Sequence, residues 1–242
     1  MTAYYNEIDP YAAQWLRNLI VAGHIADGDV DERSIVDVHP DDLKGYVQCH
    51  FFAGIGGWSY AARLAGWPDD RPLWTGSCPC QPFSVAGKGL GFSDPRHLWP
   101  WWQNLIEKRK PATLFGEQSS AAAQWIVLVR GELETMGYAV GALPIEAASA
   151  GAKHHRDRWW FVADAEWDEQ PRKEPRGGAS GRVGRVIEPF PWDEPWESAL
   201  SRFRAMGDGL PRSVGATDAA RNAIVPQVAA QLIGAYLEAE GR

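Results

Sequence analysis

The residues of this chain with the clearest chemical potential lie in the stretch Cys78-Pro79-Cys80-Gln81-Pro82. An apolar run typical of a strand, at residues 73–74, precedes it. The thiol of Cys80 is therefore expected at a strand end, on a turn stiffened by a proline on each side. Glycines at 87, 89 and 91 predict that a mobile loop follows, of the kind that closes over a substrate. The pattern favours Cys80 as a nucleophile in covalent catalysis; inert buried cysteines or half of a metal site are the simpler alternatives.

A second stretch joins a predicted strand to a helix through glycines. Residues 46–52 form the strand, the turn is Ala53-Gly54-Ile55-Gly56-Gly57, and the helix extends to about Leu64. Such a turn lets a ligand approach the backbone closely and meet the amino end of a helix. Taken alone, a turn of this kind indicates a nucleotide-type site only weakly.

The amino-terminal residues predict another strand and helix. Residues 3–8 are aromatic and apolar, and Asp9-Pro10 starts a helix that continues to about Ala22. An acidic residue at the end of a strand in a doubly wound sheet is suited to accept hydrogen bonds from a ribose diol. Glu7 is the candidate for that contact, and Ile8 is expected to lie against a purine. Residues 28–38 are read as turn-rich and acidic.

These stretches resemble the DNA cytosine-5 methyltransferase family. Pro79-Cys80-Gln81-Pro82-Phe83-Ser84 is similar to the catalytic motif of that family, in which the cysteine after the proline is the nucleophile. Residues 52–57 resemble its S-adenosylmethionine motif, although His50 stands where the family usually has aspartate. The resemblance implies that S-adenosylmethionine is the cofactor and that its site includes Phe52, Ala53, Gly54, Gly56, Gly57 and Pro79.

The order of these elements along the chain is unusual for that family. Residues 6–12 resemble the element that carries the ribose-binding glutamate, here Glu7, and Gly28-Asp29-Val30 resembles the element whose aspartate meets the adenine amino group. Both precede the glycine turn, whereas in the family they follow it. We therefore predict a permuted chain, in which the strand near 46–52 lies between the strands near 3–8 and 72–76. The alternative is that residues 1–45 are an unrelated extension.

A carboxylate is predicted beside the thiol. Residues 111–118 read as a buried strand that ends at Glu117, and a glutamate there is suited to hydrogen-bond N3 of a cytosine and make C6 open to attack. The element resembles the family's Glu-Asn-Val, with Gln118-Ser119 replacing Asn-Val. A capping or surface glutamate is the alternative.

Two later elements complete the resemblance. Residues 151–162 resemble the arginine-bearing strand of the family, which implies that Arg158 reaches cytosine O2 and that Arg156 braces the mobile loop. Arg156 and Arg158 are two residues apart, so they share one face of a strand. Asn222 and Ala223 resemble the closing motif that packs against the cofactor, with Arg221 in place of the usual glycine.

Composition narrows the class of protein. The chain has 242 residues, three cysteines and a formal net charge of −7, and no apolar run is long enough to cross a bilayer. These features predict a soluble, reduced, cytoplasmic protein, in the host cytoplasm if the chain is phage-encoded. The negative net charge argues mildly against a nucleic-acid partner, because contacts with phosphates need cations. Basic residues nevertheless cluster at 172–185, so one face of the protein could hold DNA. His154 and His155 lack a third ligand, so no metal is expected.

The expected fold class is α/β, a Rossmann-like sheet of the S-adenosylmethionine-dependent methyltransferase type with permuted strand order. Residues 1–164 and 213–242 are expected to form the cofactor-binding catalytic domain. Residues 165–212 are rich in Pro, Gly, Arg and Trp, cannot extend such a sheet, and are expected to form a short target-recognition region. Double-stranded DNA is the expected partner of a monomeric protein of phage or prophage type.

The resemblance implies methyl transfer to C5 of a cytosine flipped out of DNA, through a covalent bond between Cys80 and C6. Glu117, Arg156 and Arg158 would act with that thiol. The departures from the family pattern at His50, Gln118 and Arg221 leave a catalytically silent DNA-binding or decoy homologue as an alternative. A cytosine-modifying enzyme that transfers a different group, or acts on the free nucleotide, is a third possibility.

Overall fold

A computed structural model describes residues 3–79, 97–151, 156–166 and 223–240 of the chain. Seven strands form one sheet, and their bounds are β1 (Ala3–Asn6), β2 (Gly28–Asp31), β3 (Gln48–Phe51), β4 (Leu73–Gly76), β5 (Thr113–Ser119), β6 (Ala139–Glu146) and β7 (Asp157–Asp164). Five helices pack on this sheet: α1 (Pro10–Val21), α2 (Gly57–Leu64), α3 (Trp99–Arg109), α4 (Ala123–Thr135) and α5 (Pro226–Ala239).

Helix boundaries follow local sequence signals. The Asp9 carboxylate caps α1 by accepting a hydrogen bond from the Ala12 amide at 2.9 Å, and Pro10 occupies the first turn, where its missing N–H costs nothing. Helix α2 instead begins directly after Gly56, whose φ of 83° turns the chain out of β3. Helix α1 therefore has a side-chain cap, whereas the amino end of α2 has none.

The strand order is β2-β1-β3-β4-β5-β7-β6. Strands β1 to β5 run parallel where they are neighbours, and β7 runs antiparallel to both β5 and β6. The prediction that the strand near 46–52 lies between the other two is confirmed, since β3 pairs with β1 on one side and β4 on the other. Residues 1–45 are not a separate extension, because β1 and β2 belong to the same sheet.

One element of the sheet was not predicted. Residues 28–31 were expected to be part of a turn-rich segment, but they form β2, which pairs in parallel with β1 from Gly28 to Asp31. Gly28 permits this pairing, because a Cβ at that position would lie 1.9 Å from the carbonyl oxygen of Ala3. The turn-rich reading is correct only further on, where short 3-10 helices span Ile35–Asp37 and Pro40–Leu43.

Tryptophans fill the core on both faces of the sheet. One face carries α3 and α4, with Trp99, Trp102 and Trp125 in edge-to-face contact. The opposite face carries α2 and α5, where Trp58 and Trp67 pack near the ring of Phe115. Each ring removes a large apolar area from water, so the tryptophans in these clusters stabilise the sheet core.

The parallel strands bring their carboxyl ends to one edge of the sheet. The register aligns Asn6, Phe51, Gly76 and Gly116 across β1, β3, β4 and β5. The residues that follow these four, which include Glu7 and Glu117, therefore lie along that edge, and the antiparallel β7 contributes its first residues there. Ligands of open α/β sheets bind at this edge.

Candidate active site

The glycine turn begins with an unusual backbone. Phe52 has a φ of 51°, in the left-handed region that bulky side chains rarely adopt, and Gly54 and Gly56 also have positive φ values. The Ala53 amide donates to the Asn6 carbonyl at 3.0 Å, which joins the turn to the end of β1. Backbone strain of this kind is held in place by surrounding contacts and is concentrated at functional sites.

Glu7 ties the glycine turn to the start of α1. Its Oε2 accepts a hydrogen bond from the Gly54 amide at 2.7 Å, and its Oε1 accepts one from the Asp9 amide at 2.9 Å. Burial raises the pKa of Glu7, and these amide hydrogen bonds partly oppose that rise. Each carboxylate oxygen has a second acceptor position, so Glu7 can still accept from a diol. Ile8, next in the chain, is 63% exposed and offers an apolar surface beside it.

Asp29 is placed differently from the other predicted cofactor residues. It pairs with Tyr4 within β2, two residues before the strand ends, and its carboxylate accepts a hydrogen bond from the Tyr46 hydroxyl at 2.7 Å. The acidic residue at the strand end is Asp31, which holds Arg33 through two nitrogens. Sequence reasoning did not select Asp31, although its position at the end of a Gly-Asp-Val-Asp strand was the available signal.

The segment before α5 packs onto the glycine turn. A Cβ at Gly57 would lie 2.7 Å from Cγ1 of Ile224, so glycine is needed for this close approach. Arg156 fixes the same segment, because its Nη2 donates to the Ala223 carbonyl at 2.9 Å. The structure thus brings Ala223 and Arg156 together beside Gly57, although they are far apart in sequence.

An ion pair between a buried carboxylate and a partly exposed arginine lies on the other side of the site. The Nε of Arg158 is 2.8 Å from Oε1 of Glu117, and their side chains are 22% and 9% exposed. Glu117 follows the aligned Gly116. The next residue, Gln118, reaches the loop behind β4, that is, residues 77–79 that follow this strand, where its Nε2 donates to the Cys78 carbonyl at 3.3 Å. Gln118 therefore anchors the loop that leads through Pro79 to position 80.

The electrostatic setting of Glu117 has opposing contributions. Burial raises the pKa of Glu117, whereas Arg158, Arg156 and a hydrogen bond from Ser77 lower it, and the net shift is upward. A carboxyl group with a raised pKa can keep its proton and donate it to a ring nitrogen. The thiol of Cys78 is also buried and its pKa is raised, first by burial and then by Glu117, so it is unsuited to act as a thiolate.

His50 has a structural explanation. It is 1% exposed, its Nδ1 lies 2.7 Å from Oγ1 of Thr75, and its ring stacks on Tyr5 with centroids 5.1 Å apart. Burial lowers the pKa of His50 to about 3, so the ring is neutral. The side chain therefore fills the interior of the sheet, between Tyr5 and Thr75.

Two predicted site residues, Cys80 and Asn222, lie outside the described residues. So do the segment 80–96, His154, His155 and nearly all of the expected recognition region. Among the residues that the structure does describe, no helix combines the length and the apolar character needed to cross a membrane.

The doubly wound sheet, the glycine turn after a central strand and the acidic strand end beside it define a Rossmann-like α/β fold. Comparison with known proteins narrows that class. A family model described as C-5 cytosine-specific DNA methylase matches residues 67–176. Over that segment, somewhat less than half of its length, the chain is similar to the C5 cytosine methyltransferases, whose members use S-adenosylmethionine as methyl donor.

Individual relatives cover parts of the chain. The type II methyltransferase M.NaeI of Lentzea aerocolonigenes is 31% identical over 155 residues, which is 59% of this chain and 36% of the relative. M.NlaX of Neisseria lactamica is 26% identical over 156 residues, 58% of this chain and 50% of that protein. The chain thus spans half or less of the length of these two relatives. A solved mutant of Spodoptera frugiperda DNMT2 aligns with a TM-score of 0.47 and 16% identity, over 72% of this chain and 45% of that one.

Proposed function

We propose that this chain transfers a methyl group from S-adenosylmethionine to C5 of a cytosine in double-stranded DNA. The observation that carries the proposal is the pair of buried Glu117 with Arg158 at the ligand edge, beside the loop that leads into Pro79 and Cys80. A carboxyl group and a guanidinium are the groups needed to hold N3 and O2 of a pyrimidine. The glycine turn lies two strands away along the same edge, where a methyl donor would face that pyrimidine.

The residues present fit the proposed cofactor. The first amides of α2 have no side-chain cap, Glu7 retains acceptor capacity, and Ile8 is exposed beside it. We assign Phe52, Gly54, Gly56 and Gly57 to the turn that would hold it, and we keep Ala53, Asp29, Pro79, Asn222 and Ala223 as further proposed contacts. When bound, S-adenosylmethionine supplies the methyl group that is transferred.

The proposed chemistry on the base follows from the chain's own groups. The cytosine is flipped from the duplex, because C6 cannot be reached inside the stack. The Cys80 thiolate adds to C6, while the Glu117 carboxyl group donates its proton to N3 and Arg158 holds O2. C5 thereby becomes nucleophilic and receives the methyl group. Loss of the C5 proton to a base, return of the N3 proton to Glu117 and departure of the Cys80 sulfur from C6 then restore the neutral aromatic ring.

We also propose that the chain is a permuted member of the C5 cytosine methyltransferase family. The supporting observation is that β1 and β2, which carry the proposed ribose and adenine elements, precede β3 in sequence and flank it in the sheet. Residues 1–164 and 213–242 would then form the catalytic domain, and 165–212 would read the DNA site. Monomeric state, phage type and cytoplasmic location remain predictions.

The test is incorporation of labelled methyl groups into DNA, compared among the wild-type protein, Cys80→Ser and Cys78→Ala. The wild type and Cys78→Ala should both methylate, since the Cys78 thiol is buried and its pKa is raised, and Cys80→Ser should be inactive. DNA containing 5-fluorocytosine should trap the wild type covalently and leave Cys80→Ser free. Full activity of Cys80→Ser would refute the proposed mechanism, and binding of DNA without methylation or trapping would identify a silent homologue.

A further inference from the structure

A tryptophan next to the glycine turn reaches across to the loop behind β4. Trp58, the second residue of α2, is 2% exposed, and its indole Nε1 donates to Oγ of Ser77 at 3.0 Å. The indole is fixed by its neighbours, since its ring meets Trp160 edge-to-face at 5.5 Å and lies 6.3 Å from Phe115. The direction of the Nε1–H bond is therefore set by packing.

The second bond of Ser77 continues toward the base pocket. An indole nitrogen can only donate, so the Ser77 oxygen accepts from Trp58 and its own hydrogen remains free to donate. The Ser77 hydroxyl hydrogen-bonds the Glu117 carboxylate, the same group that pairs with Arg158. The three residues Trp58, Ser77 and Glu117 thus form a relay in which every donor points the same way, from α2 to β5.

We propose that Trp58, acting through Ser77, positions the Glu117 carboxyl group, so that the element beside the cofactor turn orients the group that activates the pyrimidine. Trp58 and Ser77 are positioning residues, because they act through Glu117. The catalytic meaning of the relay rests on the proposed function, whereas the hydrogen-bonded geometry is independent of it. Chains of hydrogen bonds polarise one another, so losing Trp58 should weaken the bond from Ser77 to Glu117.

The relay makes a prediction about titration that packing alone does not. The charged and titratable groups that face Glu117 are Arg158 and Arg156 from the β7 side and Cys78 from the loop behind β4. The Ser77 hydroxyl stabilises the ionised carboxylate beside them, so its removal should raise the pKa of Glu117 further. If methyl transfer needs the protonated form, the fall in rate on the alkaline side should move to higher pH.

The experiment compares Ser77→Ala, Ser77→Thr and Trp58→Phe with a matched control, Trp67→Phe. Trp67 lies in the same aromatic cluster and also loses an N–H donor bond, to the Arg71 carbonyl at 3.2 Å, which is not part of the relay. The Glu117 carboxyl resonance is followed by ¹³C NMR titration of the protein without DNA and assigned with Glu117→Gln. Rates and KM values are measured on DNA in parallel, and thermal melts establish that each variant is folded.

We expect the pKa of Glu117 to rise in Ser77→Ala, to rise less in Trp58→Phe, and to be unchanged in Ser77→Thr and Trp67→Phe. We expect kcat to fall about tenfold in Ser77→Ala with KM for S-adenosylmethionine unchanged. Adding Trp58→Phe to Ser77→Ala should cause no further loss, since both act through one bond. An unchanged pKa in Ser77→Ala, or equal shifts in Trp58→Phe and Trp67→Phe, would overturn the relay. If the shifts appear but the wild type does not methylate DNA, the relay stands and the proposed function fails.

Discussion

Replacing Arg158 by methionine should destabilise the protein in a pH-dependent way. The substitution keeps most of the apolar stem but removes the cation 2.8 Å from the buried Glu117 carboxylate. Removing one partner of a buried pair costs about 3–5 kcal/mol. Because Arg158 retains some exposure and Ser77 and Arg156 remain beside Glu117, we expect the lower end, about 3 kcal/mol near pH 8. With a urea m value of about 3 kcal/mol/M, the unfolding midpoint should fall by about 1 M.

The sign of the pH effect follows from the pKa of Glu117. Burial raises that pKa above its ordinary value, and loss of Arg158, the largest opposing influence, should raise it further. A carboxyl group whose pKa is higher in the folded state than in the unfolded state stabilises the protein at pH values below its unfolded-state pKa. That stabilisation is lost as the pH rises through its folded-state pKa. The penalty of Arg158→Met should therefore be smaller at acidic pH, where more of Glu117 is protonated in the folded variant, and larger at alkaline pH.

Urea unfolding, followed by tryptophan fluorescence between about pH 5 and pH 8, measures this dependence. The double variant Arg158→Met with Glu117→Gln is the control, since it leaves no uncompensated charge in the core and should recover most of the lost stability. A loss that is equal at both ends of the pH range would contradict the reasoning. A double variant less stable than Arg158→Met alone would do the same.

Two other outcomes are expected. Gly116→Ala should destabilise the protein by about 3 kcal/mol or more, because the added Cβ would lie 2.1 Å from the ring of Phe161. Gly141→Ala should change stability by less than about 0.5 kcal/mol, because its added Cβ would lie 3.5 Å from its nearest neighbour. Thermal unfolding measures both variants, and similar losses of stability would contradict the packing. Burial raises the pKa of Cys49 and Cys78, so iodoacetamide at about pH 8 should leave both thiols unmodified in the native protein. In urea the reagent should label both cysteines, which mass spectrometry would detect. Rapid labelling of either cysteine in the native protein would show that it is not buried.

The periodic parts of the fold could be predicted from the sequence. The strand around Glu117 was expected at 111–118 and spans Thr113–Ser119, and the helix after Asp9-Pro10 ends within a residue of its expected limit. These elements carry strong local signals, either a continuous apolar run or a proline at the start of a helical repeat. Strand β2 carries no such signal, because Val30 is its only apolar residue and the strand is stabilised by pairing with β1.

The candidate site was predictable where residue type and motif position coincide. Glu7, Glu117 and Arg158 were selected for that reason, and the structure places them at the ligand edge. The contact of Trp58 with Ser77 could not be predicted, because it depends on how α2 packs against the loop behind β4. Nothing in the sequence distinguishes Ser77 from the other serines as the acceptor for the Trp58 indole. The hydrogen bond from Arg156 to the Ala223 carbonyl joins residues 67 positions apart and could not be predicted either, although Arg156 itself was predicted as a site residue.

The position of β3 has a consequence for how the molecule is made. The four strands β2-β1-β3-β4 are neighbours in the sheet and all lie within residues 3–76, so every pairing among them uses chain that is synthesised before β5 begins at Thr113. Contacts that are short in sequence form early, and domains acquire structure from the amino terminus during synthesis. The half of the sheet that carries Glu7 and the glycine turn can thus assemble on the ribosome while Glu117 and Arg158 have yet to be translated.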